Sequence, residues 1–199
     1  MKYLYRFFIL TVIILLSSCA KEPYYRISQS IFIEDTTSPG LPIYSERGYN
    51  SFGAYWDQAP FSSERTETPA KMIIKKDSCH LYLRGNINSI EQIFIISFPG
   101  YLPKTFTDLV SLNGKTIDLI KEKCVISIDG MNKRNLKILE GEIIFKRAQN
   151  MYVDKKLIRV ALSGTFSFKA NVNDMPSTFS NGRFDIGFGH ENFFYLQGN

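Results

Sequence analysis

Alternation of apolar and polar positions dominates the second half of this chain. Over residues 157–170, Ile158, Val160, Leu162, Gly164, Phe166, Phe168 and Ala170 share one face. Arg159, Ala161, Ser163, Thr165, Ser167 and Lys169 share the other. A period of two predicts a strand with one buried face and one wetter face. A polar stretch over residues 171–181 then reverses the chain, and residues 182–189 answer it with Phe184, Ile186 and Phe188 pointing inward. The two segments together predict an antiparallel hairpin. Arg183 and Asp185 alternate outward on it, where a cross-sheet pair would contribute under about 1 kcal/mol if exposed.

Shorter strand signals precede this hairpin. Residues 79–84 alternate Cys79, Leu81 and Leu83 against His80, Tyr82 and Arg84. Residues 92–98 are nearly all apolar and stop at Pro99-Gly100, the pattern of a strand buried on both faces. Further strands are expected at 31–33, 51–56, 72–75, 124–128 and 136–146, with Gly141 at a bulge in the last. Residues 36–42 carry the proline and glycine chemistry of a loop. Phe106, Leu109 and Val110 fit one helical turn, and Asn113-Gly114 is a hairpin signal. The tail from Glu191 reads as an edge strand. The sum is an all-β fold of roughly eight to ten short strands, an antiparallel β-sandwich or partly open barrel, with a signal helix before it.

That leading helix changes the picture most. Lys2 and Arg6 precede a hydrophobic stretch over residues 7–16, interrupted by Thr11 alone and followed by Ser17, Ser18 and Cys19. A basic start, a short apolar stretch and small residues make a secretory signal. The stretch is too short to span a bilayer core, which takes about 20 apolar residues. Leu16-Ser17-Ser18-Cys19 resembles the bacterial lipobox, in which the cysteine thiol is acylated and becomes the mature N-terminus. Cys19 is therefore the expected lipidation site, and its acyl chains are the expected contact with the membrane. The chain then divides into a leader over residues 1–18, a lipidated tether and irregular segment over 19–48, and a β-sandwich-like domain over 49–199. Position 20 is alanine rather than an acidic residue, which favours the outer membrane; the face on which the domain sits stays open.

Composition narrows the partners. The chain has 24 Lys and Arg against 19 Asp and Glu, a net charge of +5, and loss of Lys2 and Arg6 with the leader leaves +3. The cations lie in short interrupted runs beside turns, not in the clustered stripe that nucleic acid requires. Once Cys19 is acylated, Cys79 and Cys124 remain, and an oxidising envelope permits a disulfide between them as well as two buried free thiols.

Residues for chemistry are sparse. The two histidines, His80 and His190, have no second ligand at zinc spacing. Cys79 and His80 are adjacent, so on a strand they face opposite ways. No catalytic set, metal site or cofactor motif is expected. Aromatic residues gather in the N-terminal third, and Tyr55 and Trp56 are the candidates for stacking on a ligand such as a glycan.

The closing hairpin also carries a resemblance. Ser163-Gly164-Thr165-Phe166-Ser167-Phe168, a polar loop, and then Asn181-Gly182-Arg183-Phe184-Asp185-Ile186 resemble the closing motif of a family of uncharacterised Bacteroidota lipoproteins. Ser51-Phe52-Gly53-Ala54 is similar to that family's opening phrase, although Tyr55-Trp56-Asp57-Gln58 departs from its usual Asn-Gly turn. The resemblance implies a lipid-anchored domain with a single sandwich-like body, and it implies no activity, cofactor or catalytic residue. The expectation is a non-catalytic binding or structural protein of the cell envelope, whose partner is a glycan or an envelope protein. The alternatives are a glycan-acting hydrolase and an adhesion or assembly component.

Overall fold

The computed structural model describes residues 30–64, 69–129 and 134–196. The leader and Cys19 lie outside the described residues. Strands dominate: β1 (Glu34–Asp35), β2 (Ser38–Pro42), β3 (Ser51–Trp56), β4 (Ala59–Ser62), β5 (Ala70–Lys75), β6 (Ser78–Ile87), β7 (Ile90–Pro99), β8 (Thr116–Asp118), β9 (Val125–Asp129), β10 (Arg134–Val153), β11 (Lys156–Val172), β12 (Met175–Phe188) and β13 (Phe193–Leu196). β1 and β2 form a small ladder, and the rest form one 11-stranded sheet.

The sheet curls until its ends meet. Antiparallel pairing runs β7, β9, β10, β11, β12, β3, β4, β6 and back to β7. The weakest link is β4 to β6, at Phe61↔Ile87 and Ser62↔Asn86. Beyond it the edge of β6 is taken by β5, and β5 in turn holds β13 in parallel. The fold is the all-β one read from the sequence as a sandwich or partly open barrel, with the large sheet curled into a ring.

Phenylalanine fills the ring. Phe52, Phe61, Phe94, Phe145, Phe179 and Phe188 are wholly buried. Phe94 meets Phe61 at 4.5 Å and Phe179 edge-on at 5.1 Å, and Phe168 stacks on Phe179 at 4.3 Å. Each such pair adds about 1 kcal/mol beyond its burial. Outward positions such as His80, Arg84, Ser167 and Lys169 are polar, so the ring is apolar within and wetted without. A membrane barrel has the reverse arrangement.

Local chemistry explains the turns. Asp57-Gln58, Asn88-Ser89, Asp154-Lys155 and Asn173-Asp174 all have positive φ at both residues, the geometry of tight hairpins. The Asx residue at the first position tolerates that conformation. Asn113-Gly114 makes no hairpin. It leads from a 3-10 helix (Phe106–Leu112) into β8, with the Gly114 amide donating to Phe145 at 2.9 Å. That helix buries Phe106, Leu109 and Leu112, a spacing of three that suits three residues per turn.

Three other expectations are corrected. Residues 31–33 are not a strand; the Ile31 amide bonds Tyr49 and the Ile43 amide bonds Ile33, while β2 forms through Pro39 and Gly40 where a loop was expected. Asn171–Asn181 is not a loop, because β11 and β12 run through it to the turn at Asn173-Asp174. The wetter face of β11 is dry at one end: Arg159, Ala161 and Ser163 are 4%, 1% and 1% exposed.

Candidate functional site

Residues 34–50 cause that dryness. They form a strap across the outer face of the long strands, fastened by two charged residues of β12. The first is Arg183. Its guanidinium donates to Asp35 Oδ2 at 2.5 Å, to Ser38 Oγ at 3.2 Å and to the Pro42 carbonyl at 3.3 Å. Asp35 is shaped for this contact, since Oδ1 accepts the Thr37 hydroxyl at 2.7 Å and amide at 2.9 Å. Those two bonds, with Arg183 after them, hold the Asp35 carboxyl down at about 2.

Asp185 is the second fastener. It is 2% exposed. Its oxygens accept the Ser163 hydroxyl at 2.8 Å and the amides of Gly48, Tyr49 and Arg47 at 2.8, 3.0 and 3.1 Å. Three successive amides converging on one carboxylate form a backbone anion nest. Positive φ at Gly48 turns the chain into it. Asn50 extends the grip by accepting the Gly187 amide at 2.9 Å, and Gln149 donates to the Glu46 carbonyl at 2.7 Å. Arg183 and Asp185 thus do not pair with each other across the sheet; each holds a different part of the strap.

A groove of about 450 Å³ lies beside the strap, lined by Tyr44, Glu142, Lys146, Thr165, Ser167 and Arg183. Its floor is irregular because β12 bulges. Pairing with β3 jumps from Ser180 to Arg183, and pairing of β11 jumps from Phe166 to Phe168. Bulges bend a strand and re-aim its side chains. Tyr44 walls the groove. Its hydroxyl donates to Glu46 at 2.9 Å, and Lys146 Nζ sits 4.8 Å from its ring centre. Burial, then the Glu46 bond, pushes the Tyr44 phenol up, so it stays protonated. A second hollow of about 400 Å³ shares Glu142 and Ser167 and adds Glu140, Lys169, Thr178 and Ser180. A third of about 560 Å³ shares Ser180 and continues to Tyr55, Gln58 and Pro60. Through these shared residues the hollows line up as a shallow track, the first two over β10, β11 and β12 and the third beside β2, β3 and β4.

The candidate aromatics separate. Tyr55 borders the track, with its hydroxyl donating to the Pro39 carbonyl at 2.9 Å. Trp56, next along β3, leans inward onto Phe179 at 5.2 Å and Phe94 at 5.8 Å and is half-buried. The sequence reading gave Lys146 no site role, counted Tyr44 only among the N-terminal aromatics and took Arg183 and Asp185 as a cross-sheet pair; the roles found here depend on chain more than 100 residues away.

Cys79 and Cys124 are free and buried, so the bridge between them is not formed. Cys79 faces Phe98 on β7, and Val125 faces the neighbouring Ser97. Phe98 therefore stands between the two cysteines, and two strand spacings put them about 10 Å apart, beyond the roughly 7 Å a disulfide spans. Burial pushes the thiols up to about 12 and about 11. His80 Nδ1 lies 2.7 Å from Ser97 Oγ, and His190 packs edge-on against Phe106.

No family model and no solved structure matches the chain. It is similar to a cell division topological specificity factor from Wigglesworthia glossinidia brevipalpis, with 36% identity over 58 residues. That is 29% of this chain and 62% of the relative, so the chain spans less than two thirds of the protein it matches. A stretch of 58 residues does not cover a ring whose strands run from Ser51 to Phe188.

Proposed function

We propose that this chain is a lipid-anchored protein of the cell envelope, acylated at Cys19, whose strand ring is a non-catalytic binding module. The resemblance to Bacteroidota lipoproteins agrees with this reading. The observation that carries it is the strap. The chain that follows the tether is locked onto the ring from Asp35 onward by Arg183 and Asp185. Eleven residues separate Cys19 from Ile31, whose amide already bonds Tyr49, and eleven residues fully extended span about 40 Å at most. A body held that close to a lipid anchor meets ligands of the envelope surface.

The track beside the strap supplies the binding surface. Hydroxyls of Thr165, Ser167, Thr178 and Ser180 recur along it, and Glu140, Glu142, Lys146, Lys169 and Arg183 mix both charges. Hydroxyl-rich, charge-balanced surface with a tyrosine wall suits a glycan strand rather than one simple ion. Both thiols are held protonated by burial, so neither Cys79 nor Cys124 serves as a nucleophile at neutral pH.

Two measurements test this. Metabolic labelling with a fatty-acid analogue should mark the parent and leave Cys19→Ala unlabelled and released from membranes; a labelled Cys19→Ala chain contradicts the anchor. Envelope glycan should bind the parent, and Ser167→Trp should weaken that binding at least about tenfold by filling the groove. Unchanged affinity rules the track out.

A further inference from the structure

We infer that the strap is itself part of the ligand site, so that docking of the strap and occupancy of the track hold each other in place. The inference rests on the glycan reading of the track and adds what governs binding there. Two of the three hollows take a wall from the strap: Tyr44 in the first, Pro39 and Gly40 in the third. The second lies on β8 and the long strands alone. Arg183 serves both sides, since it lines the first hollow and also holds Asp35, Ser38 and the Pro42 carbonyl. At the third hollow Gly40 lies against Pro60, where an added Cβ would come within 2.8 Å of the proline ring, and the Tyr55 hydroxyl donates to the Pro39 carbonyl.

The strap can leave without opening the ring. Its fasteners are polar and sit on the outside of a phenylalanine core that closes without them. Leu41 is wholly buried yet lies apart from that core, against the bare backbone of Gly53. An added Cβ at Gly53 would lie 3.2 Å from Leu41 and 2.6 Å from Pro42. A segment held through few apolar contacts opens at a lower free energy than core strands do.

Two states follow. With the strap down, the track is a walled groove. With the strap up, the first and third hollows each lose a wall and only the second is whole. A ligand that touches both walls binds the first state alone and favours it by a factor of 1 + [L]/Kd. Linkage is reciprocal, so weaker docking also weakens binding. A ligand held by the ring alone would leave the opening of the strap untouched.

Hydrogen exchange of the full chain, with and without soluble peptidoglycan fragments, tests this. The amides of Arg47, Gly48 and Tyr49 are the reporters, because they dock on Asp185 and line no hollow. Asp185→Asn loosens the strap without touching the track, and continued protection of β12 shows that the ring is folded. In this variant fragments at about twentyfold over their Kd should slow the three amides about twentyfold. Gly53→Ala, which crowds Leu41 and Pro42 at the other end of the strap, should show the same fragment-dependent slowing. Adding Ser167→Trp to either should remove most of it. A variant that keeps its ring but no longer binds shows the same coupling at its limit. Fragments that bind both variants and leave the reporter amides unmoved overturn the inference and leave the glycan reading standing. A parent chain that binds no fragments overturns both.

Discussion

Asp185 and Gly48 meet at 2.8 Å across 137 residues of chain, a buried carboxylate holding the amide of a distant loop. This contact lets the tether side of the protein and its last hairpin behave as one body. It also explains why an Arg-Phe-Asp sequence stands on β12: Phe184 packs the ring, and its two charged neighbours fasten what lies outside.

Removing the carboxylate should free the strap. Asp185→Ala leaves the Ser163 hydroxyl and the amides of Arg47, Gly48 and Tyr49 without their acceptor. A loss of about 3 kcal/mol is expected, since buried donors stripped of a charged acceptor are costly. Denaturant unfolding measures it. Unchanged stability would mean that the strap contributes nothing.

Acid should loosen the other fastener. The Asp35 carboxyl is held at about 2 in the folded chain, against an ordinary 3.8. A depressed value means that its stabilisation is present in full above pH 3.8 and is lost as pH falls through about 2. Pepsin cleavage within residues 34–50 should therefore rise over that window. Asp35→Asn should cleave faster at its upper end and show less dependence on pH.

One glycine is fixed by contact. Gly141 has φ +145, and a Cβ there would lie 2.2 Å from Phe168 Cβ and 2.6 Å from its Cα. Gly141→Ala should cost about 3 kcal/mol through overpacking and a backbone that L residues avoid. Thermal melting checks this, and a melt like the parent's would contradict the pairing of Gly141 with Phe168.

The thiols give a fourth test. Cys79 and Cys124, pushed up by burial to about 12 and about 11, should resist alkylation at neutral pH and both react once the chain is unfolded without reductant. Unfolded chain that alkylates only after reduction would reveal a disulfide.

The ring was legible wherever a strand buried one face. The alternation at Cys79–Leu83 and at Phe184–Phe188 gave both the strands and their inward sides, because burial of one face imposes a period of two. The strap was not legible. Arg159, Ser163 and Asp185 occupy outward positions, and only chain folded back from residues 34–50 makes those positions interior. The turns hid for a local reason: they use Asp or Asn without glycine, whereas the one Asn-Gly pair serves a helix exit. Trp56 shares a strand end with Tyr55, and composition alone could not say which ring faces in. The groove depends on a bulge at residues 180–182, where the pattern of polar residues resembles a loop.

Hydrogen exchange at Arg47, Gly48 and Tyr49 bears most directly on the strapped body. In the parent these three amides should exchange as slowly as those of β12, and in Asp185→Asn they should exchange far faster while β12 stays protected. Rapid exchange of all three in the parent, at the rates of an open peptide, would contradict it.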